Sequence, residues 1–330
     1  MRRSTPKEAI PLRTFRWLRN EYLIYPILVA LLVAYLILNG GFLSVFQIQS
    51  LITSTAPLIL VGLGEAVVII SGGIDLSIGY MVSLTCVVVA TSSPVLGTPL
   101  ALAVGVVAGA VNGTLITRFR LSALVTTLAT GSFFLGMALH ILPTPGGVVP
   151  EWVSTVADGN MGPVPVAAIL LAAVVAILGF ILYRVPAGRY LFAVGDNLEG
   201  ARQSGVVDAP IRIGAYAVAG LLAAVAGIFL AGQTSSGDPN IGTPFTLNAI
   251  VIAVLGGTSL AGGVGTVGGV VAAAFVLSVV SDIIFLTNAS SYLQYIVSGG
   301  ILVVVLGIGQ GVRWIRRPTG QPSREKVADR

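Results

Sequence analysis

The chain has 330 residues, of which 55% are hydrophobic and only 9% are charged, and its mean hydropathy is +0.96. Soluble domains carry about 25% charged residues, so this composition excludes an ordinary soluble protein and predicts a membrane protein. The net charge of +5 does not indicate nucleic-acid binding, because that function needs a basic patch on a soluble domain. A single cysteine, Cys86, excludes an internal disulfide bond.

The eighteen Lys and Arg residues divide the chain into apolar stretches. They lie in four clusters, at 2–19, 118–120, 184–212 and 313–330. A Lys or Arg at the bilayer centre costs about 2.5–3.5 kcal/mol, and basic loops remain on the cytoplasmic side. We therefore predict that all four clusters are cytoplasmic, so that each apolar stretch between them crosses the membrane an even number of times.

Ten segments between these clusters are apolar and close to the length of about 20 residues that a spanning helix needs. These segments are 22–38, 51–70, 78–92, 95–117, 121–142, 163–183, 211–231, 246–261, 264–287 and 292–312. The predicted fold is all-α, a polytopic transmembrane helix bundle of about ten spans at 21–312. The N-terminal tail at 1–20 and the C-terminal tail at 313–330 are then both cytoplasmic.

Two of the predicted spans, 78–92 and 246–261, are short and lie beside glycine-rich breaks. The break at 72–79 (GGIDLSIG) aligns with 256–263 (GGTSLAGG), and four of the eight positions are identical. Such interrupted segments indicate a transport pathway, because unwound backbone is tolerated at membrane depth only beside protein or a cavity. The predicted pathway residues in the breaks are Gly72, Gly73, Asp75, Ser77, Gly256, Gly257 and Ser259. The alternative is that these glycines serve only close helix packing.

Two acidic residues are candidates for function inside the membrane. Glu65 lies deep in the second predicted span, where an ionisable residue is a functional candidate by default. With no Lys or Arg in the spans apart from Arg212 at the start of the seventh, it must be protonated, hydrated or held by hydroxyls and amides. Asp75 stands where an N-cap would serve the third span. A neutral, purely structural Glu65 remains an alternative, and so does a proton-coupled transporter that uses both residues.

The sequence offers little for catalysis. A Walker A loop requires a lysine on the phosphates, but Lys7 and Lys326 both lie in the tails. The single histidine, His140, has no second His or Cys at ligand spacing. We therefore expect no catalytic residue, no metal and no cofactor in this chain.

The longest predicted cytoplasmic loop, 184–212, contains a second candidate site. It is amphipathic, it has Gly195 and Gly205 as bounds of a short helix, and Asn197 is a suitable cap for that helix. A loop that only connects two spans needs few residues. A capped helix here predicts that a cytoplasmic partner docks on it.

Four segments of the sequence resemble, in order, motifs of the inner-membrane permeases of bacterial ABC importers for ribose, xylose, galactose and related sugars. These segments are 72–79, 109–113 (GAVNG), 188–205 and 255–263. The resemblance covers about residues 50–310, and Asn112 joins the predicted pathway residues through it. The Asp196-Asn197-Leu198 triplet departs slightly from the family pattern. Permeases for branched-chain amino acids are the alternative, which the Ile-Asp-Leu-Ser sequence ending at Ser77 disfavours.

The resemblance implies a homo- or heterodimeric permease in the bacterial inner membrane. Its implied partners are a second permease subunit, a periplasmic solute-binding protein and a separate cytoplasmic ATPase subunit, which uses the ATP. It also implies that the loop 184–212 carries a coupling helix that takes up the motion of the ATPase. The residues implied in coupling are Gly188, Arg189, Gly195, Asn197, Glu199, Ala201, Arg202 and Gly205.

Overall fold

The structure, a computed structural model, describes residues 20–41, 43–286 and a few positions between 292 and 303. Those last positions are 292, 293, 296, 297, 299, 300 and 303. Fourteen of the 21 residues of the predicted tenth span, 292–312, and all of the two predicted tails except Asn20 therefore lie outside the described residues.

The described part of the chain is helical, apart from one small hairpin. Its elements are α1 (Asn20–Leu38), α2 (Val45–Ile70), α3 (Ile78–Thr91), α4 (Gly97–Arg118), α5 (Ala123–Ile141), α6 (Glu151–Asp158), β1 (Asn160–Met161), β2 (Val164–Pro165), α7 (Val166–Arg184), α8 (Pro186–Asp196), α9 (Leu198–Gln203), α10 (Asp208–Thr234), α11 (Phe245–Leu255) and α12 (Val267–Leu286). The two strands pair antiparallel, with Met161 opposite Val164.

Six described helices are long and apolar enough to cross a membrane: α2, α4, α5, α7, α10 and α12. Three further apolar stretches are shorter, namely the part of α1 from Ile24 to Leu38, and the helices α3 and α11. At about 1.5 Å per residue, the 14 residues of α3 extend over about 21 Å, less than a hydrocarbon core of about 30 Å. The prediction of short, interrupted spans at 78–92 and 246–261 is thus consistent with the lengths of these helices.

The second helix begins six residues before the predicted span at 51–70. Ser44 caps it, since the Gln47 amide donates to the Ser44 hydroxyl at 3.2 Å. The Gln47 side chain in turn accepts from the Ser44 amide at 2.8 Å, which completes a capping box. The apolar run alone therefore underestimates α2, because its first turns carry the polar residues Gln47, Gln49 and Ser50.

Helices α2 and α10 form the centre of the bundle, and α5 and α7 lie on its periphery. In the most apolar stretch of α2, 78% of the residues are buried, compared with 22% in α7. Between membrane helices, small residues permit the closest backbone contact. Here Gly105 and Gly109 of α4 pack on α10, where a Cβ at Gly220 would contact the Gly105 carbonyl and a Cβ at Gly109 would contact the Tyr216 carbonyl.

The two ends of the bundle differ in chemistry. Helices α4 and α7 finish at Arg118 and Arg184, and α8 and α9 follow α7 directly, so we call this the basic end. At the other end, which we call the hairpin end, α6 packs against the last turn of α10, where Val153 and Ala157 lie against Gly232.

Two short helices begin beside each other inside the bundle. The segment after α10 turns back toward the interior, and the Gly242 amide donates to the Ser83 hydroxyl of α3 at 2.9 Å. Gly79, in the first turn of α3, leaves no room for a Cβ against Gly242 and Thr246. The first turns of α3 and α11 are therefore held against one another by glycine contacts.

Candidate functional site

The first predicted break connects α2 to α3. Helix α2 ends in a Schellman turn, in which the Gly72 amide donates to the Ile69 carbonyl at 2.9 Å and the Gly73 amide to the Val68 carbonyl at 3.0 Å. Gly72 has a φ of +83°, a left-handed conformation that glycine adopts without steric cost. Seven residues, 71–77, therefore lie outside any helix before α3 begins at Ile78.

The second predicted break, after α11, uses the same turn. The Gly257 amide donates to the Val254 carbonyl and the Thr258 amide to the Ala253 carbonyl, at 3.0 and 2.9 Å. The left-handed residue is Gly257, with a φ of +91°. Gly72 is thus equivalent to Gly257, so the alignment of 72–79 with 256–263 is one residue out of register. The two breaks share a helix-ending geometry, but the identities that the alignment counts do not superpose.

A buried polar network holds the first break in place. The amide of Asp75 donates to Glu65 Oε1 at 3.1 Å. Asp75 Oδ1 accepts from the amide and the hydroxyl of Ser77, at 2.9 and 2.6 Å. Asn112 Nδ2 of α4 donates to the same hydroxyl at 2.7 Å. All four residues are completely buried, so the structure brings together predicted residues from three separate parts of the chain.

The structure corrects the predicted cap at Asp75. Helix α3 begins at Ile78, and the residue in the N-cap position is Ser77, whose side chain makes no capping hydrogen bond. Asp75 lies two residues earlier and accepts the Ser77 amide instead, as Asp side chains do in Asx turns. Glu65 is held by a backbone amide, one of the states expected for it.

Two further residues of this site, Thr127 and Tyr216, are not among those predicted from the sequence. The Leu76 amide donates to the Thr127 hydroxyl at 3.1 Å, and the Tyr216 hydroxyl donates to the Ile74 carbonyl at 3.3 Å. Both side chains are completely buried. The sequence gives only a weak indication of either residue, because Thr127 and Tyr216 are each a single polar group within an apolar span.

Most of the predicted pathway residues are enclosed by the subunit itself. A Cβ at Gly73 would contact the Tyr216 hydroxyl, and one at Gly256 would contact the backbone of Val270 in α12. Ser259 is partly buried, and its amide donates to the Val264 carbonyl at 3.0 Å. Gly73 and Gly256 thus take part in close packing, which was the alternative to a pathway role. A role of the breaks in a pathway stays a prediction.

The loop 184–212 forms two helices, where the sequence predicted one. Asn197 caps α9 as predicted, because the Gly200 amide donates to Asn197 Oδ1 at 2.9 Å. Gly205, with a φ of +83°, ends α9 in a Schellman turn. Gly195, however, bounds no helix: it lies in the last turn of α8, which begins at Pro186.

The remaining predicted coupling residues divide between packing and exposure. Gly188 and Ala201 are buried, whereas Arg189 and Glu199 are exposed. Arg202 forms a bidentate ion pair with Asp208, at 2.8 and 3.0 Å, which ties α9 to the start of α10. These hydrogen bonds raise the pKa of the Arg202 guanidinium above its usual value, so the cation persists at any physiological pH.

The end of α8 contacts both breaks. A Cβ at Gly195 would overlap the Ile70 carbonyl, the last of α2, and would also contact the Gly263 amide. That amide donates to the same Ile70 carbonyl at 3.0 Å. A Cβ at Gly262 would meet the Gly195 carbonyl. Backbone therefore packs directly on backbone, and the two predicted sites form one continuous structure at the basic end.

Comparisons with known proteins match the chain to membrane permeases. The sequence model of a family described as the permease component of the branched-chain amino acid transport system matches residues 47–306. No solved structure matches the chain.

Three curated relatives are import permeases for different solutes. The ribose import permease protein of Haemophilus influenzae is 30% identical over 291 residues, 84% of this chain and 90% of the relative. The galactose/methyl galactoside import permease protein of Salmonella typhimurium is 32% identical over 317 residues, 88% and 94% of the two chains. The autoinducer 2 import system permease protein of Photorhabdus laumondii is 32% identical over 285 residues, 82% and 83% of the two chains.

Proposed function

Because the chain belongs to this family of import permeases, we propose that it is the membrane-spanning subunit of an ABC importer that carries a sugar or a sugar-like solute. The observation that carries the proposal is the similarity, over more than four fifths of the chain, to permeases named for ribose and galactose. The family description includes branched-chain amino acids, but these relatives favour a sugar.

The proposed assembly contains chains other than this one. A separate cytoplasmic ATPase supplies the energy of ATP, a periplasmic solute-binding protein delivers the solute, and a second permease subunit completes the membrane part. The contact between α8 and the two breaks supports a coupling role for the loop 184–212, because a force applied to α8 reaches the end of α2 and the segment between α11 and α12 through backbone atoms.

The proposed topology has ten spans, with both termini in the cytoplasm. Three arginines support it: Arg118 and Arg184 end α4 and α7, and Arg202 lies in α9, all at the basic end. The capping box at Ser44 and the Schellman turn at Gly72 are then the outer and inner ends of α2. In this orientation Glu65 and Asp75 lie between the cytoplasmic surface and the bilayer centre.

Uptake into right-side-out membrane vesicles tests the function. Vesicles that contain the chain with its proposed ATPase and binding protein are loaded with ATP, and uptake of radiolabelled D-ribose, D-galactose and L-leucine is measured. We expect uptake of a sugar that depends on ATP and persists when a protonophore is added. Uptake of L-leucine alone would indicate a branched-chain amino acid permease, and uptake abolished by the protonophore would indicate a proton-coupled transporter.

A further inference from the structure

A cleft of about 340 Å³ opens at the hairpin end, beside the first turns of α2. Four polar residues of α2 line it: Gln49, Ser50, Thr53 and Ser54. Their spacing places them on one face of the helix. A polar face on a membrane helix is disfavoured against lipid, where each unsatisfied polar group costs several kcal/mol, so this face requires water, protein or a solute.

The other walls of the cleft are also polar. The unit formed by α6 and the hairpin contributes Asp158, the last residue of α6, and Asn160 of β1, and α10 contributes Gln233 from its last turn. Two amides brace the walls: Gln233 Nε2 donates to the Thr53 carbonyl and Gln49 Nε2 to the Gly162 carbonyl, both at 3.1 Å. The cleft is therefore built from three separate elements that are tied together.

Several polar groups of the cleft have no protein partner. Three groups of the cleft form no hydrogen bond with another described residue: the Ser50 hydroxyl, the Thr53 hydroxyl and the Asp158 carboxylate. The hydroxyl of Thr55, two residues along α2, is by contrast buried and donates to the Leu51 carbonyl at 2.6 Å. The Ser54 hydroxyl, which also lines the cleft, donates to the Leu51 carbonyl at 3.2 Å, so Ser50 and Thr53 are the two hydroxyls of this face that remain open to a solute.

The chemistry of the cleft fits a polyhydroxylated solute. Hydroxyls, amides and a carboxylate supply both hydrogen-bond donors and acceptors. Phe46, which is 75% exposed, adds an aromatic side chain to the lining, and the C–H groups of a sugar ring pack well on such a group. None of the lining residues is basic, so nothing there pairs with the carboxylate of an amino acid. The volume also lies in the range of about 300–1,000 Å³ that is usual for small-molecule sites.

We propose that this cleft is a transient binding site for a monosaccharide, the first contact of the solute with the permease after the binding protein releases it. The proposal rests on the function proposed above. Residues 49 and 70 are about 31 Å apart along α2, so the cleft lies on the far side of the bundle from α8 and the breaks. Binding there must be weak, since a solute that binds tightly does not leave.

The test compares two threonines on the same helix in the assembled importer. Thr53→Val removes a hydroxyl from the cleft and keeps its shape, Thr53→Ser retains the hydroxyl, and Thr55→Val is the matched control. We expect Thr53→Val to lower the maximum rate of uptake of D-ribose or D-galactose about threefold to tenfold, the effect of one hydrogen bond. Thr53→Ser should restore the rate, and Thr55→Val, which lies outside the cleft, should keep both the parent rate of uptake and the parent basal ATPase activity.

A second measurement uses the parent protein with Cys86→Ala and a single Ser50→Cys substitution. A membrane-impermeant maleimide labels the new thiol from outside, and the transported sugar should slow this labelling, whereas L-leucine should not. If sugar uptake is unchanged in Thr53→Val, or if the sugar does not affect labelling, the cleft is not a binding site for the sugar. The proposed function would remain intact. A parent protein that imports L-leucine and neither sugar would instead reject the proposed function itself.

Discussion

At Glu65, one carboxylate oxygen accepts the amide hydrogen of Asp75, and the structure shows no basic side chain paired with it among the described residues. Glu65→Gln keeps an acceptor for this amide but cannot release a proton. We expect Glu65→Gln to transport at close to the parent rate and Glu65→Leu to be less stable by about 1–3 kcal/mol, because the buried amide loses its partner. Thermal unfolding in detergent and vesicle uptake measure the two effects. Loss of transport in a stable Glu65→Gln protein would indicate proton carriage.

Individual residues were predictable where the signal was local. Asn197 lies three residues before the amide that it caps, so the sequence alone identifies it. Glu65 could be singled out as a carboxylate in an apolar span, but its partner could not, because the chain must first turn back at Gly72. Tyr216 lies 142 residues from the carbonyl that it contacts, and no local pattern reveals such a pair.

Helix α8 meets the two breaks through Gly195, where the backbones leave no room for a side chain. Gly195→Val must push α8 away from the Ile70 carbonyl and from Gly263. We expect this variant to insert in the membrane and bind the ATPase, but to hydrolyse ATP without importing solute. Gly179→Ala in α7 is the matched control, since nothing lies within 4 Å of a Cβ at that position. Normal uptake by Gly195→Val would show that α8 does not transmit force to the breaks.

The elements were predicted to different degrees. The apolar segments predicted the position of every described span, and the flanking glycines identified α3 and α11 as short helices. Helix α6 and the hairpin were missed because the segment 143–162 is polar and rich in proline and glycine, and its structure depends on packing against α10. The alignment of the breaks was out of register because it matched glycine pairs, whereas the structural equivalence is set by the single left-handed residue in each turn.

At the scale of the whole molecule, the charge clusters predict which end of the bundle is cytoplasmic, and the structure places Trp152 of α6 and Arg189 of α8 at opposite ends. Both side chains are exposed, so a cysteine at either position should be accessible without disturbing the core. In a Cys86→Ala background, we expect a membrane-impermeant maleimide to label Trp152→Cys in sealed right-side-out vesicles. Arg189→Cys should be labelled only after the vesicles are permeabilised.

The physical reason for this orientation is the positive charge of the basic end, which remains on the side where the chain is made. The paired measurement contains its own control. Labelling of Trp152→Cys shows that the reagent reacts, and protection of Arg189→Cys until permeabilisation shows that the vesicles are sealed. Labelling of Arg189→Cys from outside, with Trp152→Cys protected, would show that the molecule has the opposite orientation in the membrane. The cleft would then face the cytoplasm, and α8 could not reach a cytoplasmic ATPase, so this single result would contradict both the proposed coupling and the proposed direction of transport.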